Sequence, residues 1–536
     1  MKKQEISPMG DRYNLVIVGG GVTGAGVFHE AILRGLRPLL VEANDFAWGT
    51  SSRSSKMVHG GLRYLKEGKF LLTRSAVRER QRLLSVYPGL VDPLNFIMPL
   101  YDGHGPSMGA MKFGLSLYSL MAGEKQHEIF SRAQTLGMVP KVCQENLLSA
   151  VGFKDAQVDD ARLVLRLIFD GCDQGGQAFN YTRATAVERD GQGKVVGVCL
   201  KDVETNVNVR VQTPVVINAT GAFAEALHPS PVKGFHIRPL RGSHLIFPGK
   251  IYPLDRVISF IHPRDNRPVF LFPWEGCLFL GTTDVDHKEG DHTGDVSKEP
   301  CISLGEAEYL MAGLAHILPD LQVSLADCIA SIAGVRPILS KRKKAASKES
   351  REHVVWKDKG LITVTGGKLT TFRLLAADAL KAAQKYLPEC SKSLANSRAG
   401  QESKPLPGGI PGIKEGVLSD RETQRLWGRY GARVKYMAEN CNETDFSFIA
   451  ATQTLWAELC HGAQNEQIRH LSDLLLRRVR IGLFLPNGGM DLMDEIQARL
   501  RPFLAWDDEK WTRERKAYER VWQDAYAPPG QKNKLN

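Results

Sequence analysis

Residues 13–42, YNLVIVGGGVTGAGVFHEAILRGLRPLLVE, constrain the fold more tightly than any other stretch of this chain. An apolar run from Tyr13 to Val18 enters a turn where Gly19, Gly21 and Gly24 keep a G-x-G-x-x-G spacing. A helical pattern follows to about Gly35, and a second apolar run, Pro38 to Val41, ends at Glu42. Each part of this strand–turn–helix–strand unit has a physical task. Gly19 permits the tight turn, Gly21 lets backbone approach a pyrophosphate, and Gly24 lets helix and strand pack closely. The helix N-terminus presents free N–H groups and positive dipole to the phosphates. Glu42 is placed to accept hydrogen bonds from both hydroxyls of a ribose. The unit predicts a Rossmann-like domain that binds a dinucleotide.

At 536 residues the chain is too long for one core, so two or three domains are expected. With 43 % hydrophobic and 24 % charged residues it reads as globular rather than disordered. No run of about 18 uninterrupted apolar residues occurs, so no spanning helix is expected. Gly105–Gly123 comes nearest and is broken by Lys112. No apolar signal region follows the first lysines, so a secretory signal is not expected. Nine cysteines scattered without a C-x-x-C pair point to reduced thiols in a cytoplasmic compartment, with no disulfide framework and no metal site. A net charge of +11 suits an anionic partner such as a phosphorylated substrate, a lipid surface or nucleic acid, and selects none of them. The densest basic run, Lys341–Lys344, reads either as a solvated loop or as a phosphate or membrane contact.

TRATAVE and KVVGVCL, within 175–200, read as a hairpin, and VRVQTPVVI (209–217) as one further apolar strand. Short β-rich runs with Pro and Gly between them fill 235–283, the pattern of an antiparallel sheet. A late strand, LITVTGG (361–367), leads into a helical pattern, and Pro388–Gly412 reads as a linker. The fold class expected is α/β. A discontinuous dinucleotide domain comes from 13–80, 150–225 and 330–385, and an antiparallel β-rich substrate or cap domain from 81–149 and 226–329. A linker (386–414) and an all-helical domain (415–526) follow. The last ten residues, APPGQKNKLN, are expected to be disordered.

GTSSRSSKMVHGGLRYL (49–65) concentrates hydroxyls and glycines shortly after the acidic strand end. Small hydroxyls and open backbone are what a flavin diphosphate or ribityl chain requires. Thr50, Ser51, Ser52, Lys56, His59, Gly60 and Gly61 are its candidate cofactor contacts. Gly221 ends the strand NATG, where an adenine or ribose can lie against bare backbone. In GGKLTTF (366–372) two glycines precede Thr370 and Thr371, either of which can cap a helix. Gly367, Lys368, Leu369 and Thr370 would then face the pyrimidine edge of a flavin, where positive dipole and charge favour reduction. His244, Arg336 and Arg63, with Tyr64 beside it, are candidates for the other side of the ring.

The ordered set GGGVTGAG, GTSSRSSKMVHGGLRYL, VDDARLV, NATGAFA, RGSHLIFP, GTTDVD, AGVRPIL and GGKLTTFR closely resembles the FAD-dependent glycerol-3-phosphate dehydrogenases of the aerobic, respiratory type. The likeness runs from about residue 13 to 375 and continues in LLLRRVRIGLFLP of the helical tail. It implies FAD as cofactor and oxidation of sn-glycerol 3-phosphate to dihydroxyacetone phosphate. It also implies electron transfer to membrane quinone and a peripheral position on the inner face of the cytoplasmic membrane, and it leaves a homodimer open. On that reading His244 is the first choice of general base, since an unperturbed pKa of about 6.5 suits neutral pH. Arg336 polarises the developing carbonyl or holds the phosphate, and Arg63, Tyr64 and Lys368 bind substrate. The alternatives are a glycerol-3-phosphate oxidase, or a related flavin amine oxidase, that passes electrons to oxygen. Nucleic acid is not expected, because no aromatic residues are interleaved with Lys341–Lys344.

Overall fold

The computed structural model describes residues 12–62, 68–123, 127–227, 236–287, 298–340, 353–387, 410–414 and 416–531. Leu15–Val18 lies inside a six-stranded sheet ordered His353–Asp358, Leu361–Gly366, Val216–Asn218, Leu15–Val18, Pro38–Val41, Gln177–Phe179. All neighbours are parallel except the edge hairpin 353–366. Parallel strands are covered on both faces, which is why these segments are continuous apolar runs. Leu15 and Ile17 point to a core shared with the helices Val22–Leu33, Asp160–Asp173 and Phe372–Ala383. Val16 and Val18 point to the opposite face, against Val195, Val198, Leu200 and Val211 of a small antiparallel sheet. That sheet is built from Thr182–Arg189, Val195–Asp202 and Asn208–Gln212. The apolar run 209–217 is therefore two strands in two sheets, not one. Pro214, which has no N–H for a ladder, lies in the break.

The second large sheet holds Val91–Tyr101, Leu147–Val158, His236–Pro248, Val257–Ile261, Pro268–Trp274, Cys277–Gly281 and Ala330–Ser340 among its strands. Two of these differ from expectation. Leu147–Val158 and Ala330–Ser340 fall largely in segments read as part of the dinucleotide domain, yet they belong to the antiparallel sheet. Residues 236–246 of the long strand His236–Pro248 pair with all of Ala330–Ser340, and all of Val91–Tyr101 pairs with Leu147–Val158 across one register shift. Such long antiparallel ladders outweigh the nearness in sequence to parallel strands.

The C-terminal helices, from Asp420–Tyr430 to Asp508–Ala525, do not close on themselves. Trp456, Leu474, Leu475, Trp511 and Trp522 share one buried cluster with Phe96, Phe272, Trp274 and Ile332 of the antiparallel sheet. Of the tail expected to be disordered, 527–529 are instead buried, and 532–536 lie outside the described residues. Ala527 is 1 % exposed, and the Tyr526 carbonyl accepts from Ser331 N–H at 2.7 Å. The sheet strand has a spare N–H there, and the tail satisfies it. Most of the expected linker, and Lys341–Lys344, lie outside the described residues.

Residues 105–123 contain the helix Met108–Ala122, whose Phe113 and Leu120 are 74 % and 78 % exposed. No described helix is long and apolar enough to cross a membrane.

Candidate active site

A cavity of about 1390 Å³ is lined by both large sheets. Pockets for drug-sized ligands are commonly about 300–1,000 Å³, so this one has room for a dinucleotide and a small substrate together. Its floor is the glycine turn. Gly19 has φ +113°, and a Cβ there would sit 2.6 Å from the Ala219 carbonyl oxygen. A Cβ on Gly24 would collide with the Gly19 carbonyl, so Gly24 serves helix–strand packing and does not line the cavity. Gly21 lines it, and there a Cβ would come 3.1 Å from Ser51 Oγ. The Glu42 carboxylate accepts from Gly20 N–H at 2.7 Å and Asn44 N–H at 2.9 Å, and it too borders the cavity. Burial raises its pKa, partly offset by those two backbone bonds. Gly221, φ +60°, also lines the cavity, with nothing within 4 Å of a Cβ built on it. This floor of bare main chain with one acidic acceptor fits a dinucleotide.

The loop 49–61 divides. Thr50, Ser51, His59 and Gly61 line the cavity, whereas Ser52, Lys56 and Gly60 do not. Ser51 Oγ accepts from Val22 N–H at 2.9 Å, so one hydroxyl both caps the first helix and borders the cavity. Thr50 Oγ1 donates to the Val335 carbonyl. Lys56 is a correction to its expected role as a cofactor contact. Its ammonium is wholly buried and bonds Asp160 Oδ1 and Oδ2 at 2.8 and 2.9 Å and the Ser52 carbonyl at 2.7 Å. Burial, then the Arg480 charge, push its pKa down to about 7 against the pull of Asp160. The Gly60 N–H is taken by Tyr118 Oη at 2.9 Å and Asp155 Oδ1 at 3.2 Å. A loop crowded with donors must satisfy many of them inward, and sequence alone does not sort the two sets.

Gly367, Lys368, Leu369 and Thr370 line the cavity at the end of the last parallel strand. Neither threonine caps the helix through its hydroxyl. Thr370 Oγ1 reaches the His59 carbonyl and Thr371 Oγ1 the Lys368 carbonyl, both at 3.4 Å. A short 3-10 turn, Leu369–Thr371, takes the place of the expected cap.

Arg336 faces the cavity from the antiparallel sheet. Its guanidinium donates to Asp284 Oδ1 at 3.1 Å, Thr282 Oγ1 at 2.9 Å and the Thr283 carbonyl at 3.3 Å. A Cβ on Gly242 would collide with that guanidinium and displace it from its present place. His244 is buried behind this wall and does not line the cavity. Its Nε2 shares a 2.9 Å hydrogen bond with Ser55 Oγ, which does, while Nδ1 is buried without a hydrogen-bond partner. Burial, then the Arg336 and Lys56 charges, hold its pKa well below 6.5, so the unperturbed value expected from sequence does not apply. Arg63 and Tyr64 lie outside the described residues.

Sequence reasoning passed over three cavity residues. Arg53 sits inside the quoted glycine–serine loop and is held by Tyr526 Oη at 2.9 Å and Glu299 Oε2 at 2.8 Å. Ser55 stands two places on. Both were visible as polar loop residues, but nothing local set them apart from Ser52 or Lys56. Arg267, which shares Asp284 with Arg336 at 3.0 Å, lies in an ordinary strand connection and carried no signal.

Residues 14–377 match the family described as FAD dependent oxidoreductase, and residues 375–511 match the C-terminal domain of alpha-glycerophosphate oxidase. The aerobic glycerol-3-phosphate dehydrogenase of Bacillus subtilis is 29 % identical over 540 residues, 96 % of this chain and 96 % of that protein. That of Staphylococcus haemolyticus is 30 % identical over 489 residues, 87 % of this chain and 86 % of its own. The X-ray structure of the glycerol-3-phosphate dehydrogenase from Bacillus halodurans, complexed with FAD, superposes with a TM-score of 0.73 at 26 % identity, covering 96 % of this chain and 95 % of that one. L-alpha-glycerophosphate oxidase from Mycoplasma pneumoniae shares the fold at a TM-score of 0.56 and 16 % identity, covering 72 % and 97 % of the two chains. Glycine cradle, cationic wall and full-length likeness agree: the chain belongs to the FAD-dependent oxidoreductase family, and FAD is its cofactor.

Proposed function

We propose that the protein oxidises sn-glycerol 3-phosphate to dihydroxyacetone phosphate. One observation carries the reading. The cavity that begins at the glycine cradle is also lined by Arg53, Arg267, Arg336 and Lys368, of which Arg53 is paired with Glu299 while Arg267 and Arg336 share Asp284, so the set keeps an excess of positive charge suited to a phosphate dianion. When bound, FAD supplies the acceptor for the hydride that leaves C2 of the substrate. The chain's own residues hold that carbon in position and take the hydroxyl proton. Arg336, kept in place by Asp284 and Thr282, binds phosphate or the developing carbonyl oxygen. Ser55 faces the substrate, accepts the C2 hydroxyl proton and passes its own to His244 Nε2. Burial, then the Arg336 and Lys56 charges, keep His244 neutral at pH 7, which leaves Nε2 able to accept but makes it a weaker base than an ordinary imidazole. His244→Ala should slow flavin reduction about 100-fold while weakening substrate binding far less; a loss confined to binding assigns His244 to positioning.

The deciding experiment is anaerobic bleaching of the bound flavin by glycerol 3-phosphate, with glycerol and lactate as controls. Equal bleaching by glycerol, or none by glycerol 3-phosphate, removes the reading. For the electron acceptor we favour membrane quinone, reached by peripheral docking. The exposed Phe113 and Leu120 lie on the helix that carries the cavity residue Met111, and the exposed Phe70 and Leu71 lie on the helix Phe70–Val86 that packs against it. Sedimentation with anionic liposomes checks the docking. The match of residues 375–511 to an oxidase domain supports oxygen as the second acceptor, and stoichiometric peroxide without quinone would establish it.

A further inference from the structure

Lys56 and Arg480 come from segments far apart in sequence and end on the same two acceptors. Lys56 Nζ bonds the Ser52 carbonyl at 2.7 Å and Asp160 Oδ1 at 2.8 Å. Arg480 Nη2 bonds the same carbonyl at 2.8 Å and the same carboxylate oxygen at 2.8 Å. Both side chains are fully buried, and both charges lie near one ring, 5.1 and 5.3 Å from the centre of Trp274. Both residues also hold left-handed backbone, φ +57° and +61°, although neither is glycine. L-residues keep that conformation only where their surroundings enforce it. Neither cation touches the cavity. What they grip is a loop whose other side does: Ser51 caps the cradle helix, Arg53 borders the cavity, and Ser55 meets His244. Asp160 completes the grip by accepting from Ser54 N–H at 2.9 Å and Ser54 Oγ at 2.7 Å.

We infer that Arg480, from the C-terminal helical region, is a positioning residue for the active site. Through Ser52 and Asp160, and together with Lys56, it fixes the height of the 50–55 loop over the cavity. Removing its charge lets the Ser52 carbonyl move, and Ser55 leaves its place against His244. A shift of about 1 Å in such a group slows chemistry by about 100-fold. The consequence for Ser55 rests on the function proposed above; the grip on the loop does not.

The test compares Arg480→Met and Arg480→Lys with wild type in two measurements. The first is single-turnover bleaching by glycerol 3-phosphate, counted per bound flavin, with dithionite reduction as control. Arg480→Met should slow the substrate reaction about 100-fold with dithionite reduction unchanged, and Arg480→Lys should recover part of the loss. A purely structural residue would lower the yield of loaded protein while each loaded molecule turned over normally. The second is amide hydrogen exchange over residues 50–56, expected to quicken at least tenfold in Arg480→Met. If Arg480→Met does not fold, Lys56→Met is held to the same criteria, since it removes the paired grip. Exchange within twofold of wild type, or loaded variants that bleach at the wild-type rate, overturns the inference. If wild type itself is not bleached by glycerol 3-phosphate, the proposed function fails while the exchange result still decides the grip.

Discussion

The glycine cradle and the loop facing it are held by means that differ in reach. In the cradle, Gly20 N–H meets Glu42 across 22 positions and Val22 N–H meets Ser51 across 29. In the loop, Lys56 reaches Asp160 across 104 positions, the Ser52 carbonyl reaches Arg480 across 428, and Arg53 reaches Tyr526 across 473. The cradle works by excluded volume, since a Cβ on Gly19 or Gly24 would strike backbone. The loop works by charge, with cations and carboxylates matched in a buried place. One is broken by adding atoms, the other by removing charges or adding protons.

The largest effect should come from adding atoms to the cradle. Gly24→Val drives a side chain into the Gly19 carbonyl, which is backbone and cannot swing aside, and should destabilise the fold by about 3 kcal/mol or more. The purified variant should carry no flavin; normal yellow protein would mean that the turn relaxes more easily than its geometry allows.

Acid should attack the charged side. Burial pushes His461, beside Glu466 and Arg162, down to about 4 from an ordinary 6.5. Between those values the unfolded chain takes up a proton that the folded chain refuses. Stability is therefore complete above pH 6.5 and falls as pH drops toward 4, by roughly 3 kcal/mol for this residue. Glu466 and Asp159, both held down near 2 by neighbouring arginines despite burial, add to the loss below their ordinary carboxylate range. Urea midpoints at pH 7.5 and 4.5 should differ accordingly, and His461→Gln should flatten the upper part of that slope.

Gly242→Ala tests the wall between the two. The added methyl meets a guanidinium pinned by Asp284 and Thr282, so the Michaelis constant for glycerol 3-phosphate should rise about tenfold while flavin content stays at wild-type level. The smallest effect belongs to Thr371→Ala. A true helix cap is worth about 1 kcal/mol, but this hydroxyl reaches only the Lys368 carbonyl at 3.4 Å, so melting should change by less than about 0.5 kcal/mol.

The same contrast explains what could be read in advance. Gly19, Gly21 and Glu42 were legible because a dinucleotide turn puts its requirements within one strand–helix–strand unit, where spacing carries the geometry. Gly367 follows directly on its apolar strand, whereas Gly221 opens a short 3-10 turn after the strand Val216–Asn218 rather than ending it. In sequence Lys56 stands among residues that line the cavity, and nothing in the loop shows that Asp160 and Arg480 draw it inward. His244 falls in a strand as RGSHLIF suggests, but well inside it and behind the cavity wall, and its partner Ser55 and its depressed pKa depend on three-dimensional neighbours. Arg267 needed the fold before it had any meaning at all.

The tail over the antiparallel sheet has a consequence for synthesis. Tyr526 touches Arg53, and its carbonyl joins Ser331. A ribosome delivers the nucleotide-holding turn early, but Arg480 and Tyr526 emerge hundreds of residues later. A nascent chain halted before them could clasp FAD yet leave the Ser55 loop without its far anchors, so competence for substrate arrives only with the late helices.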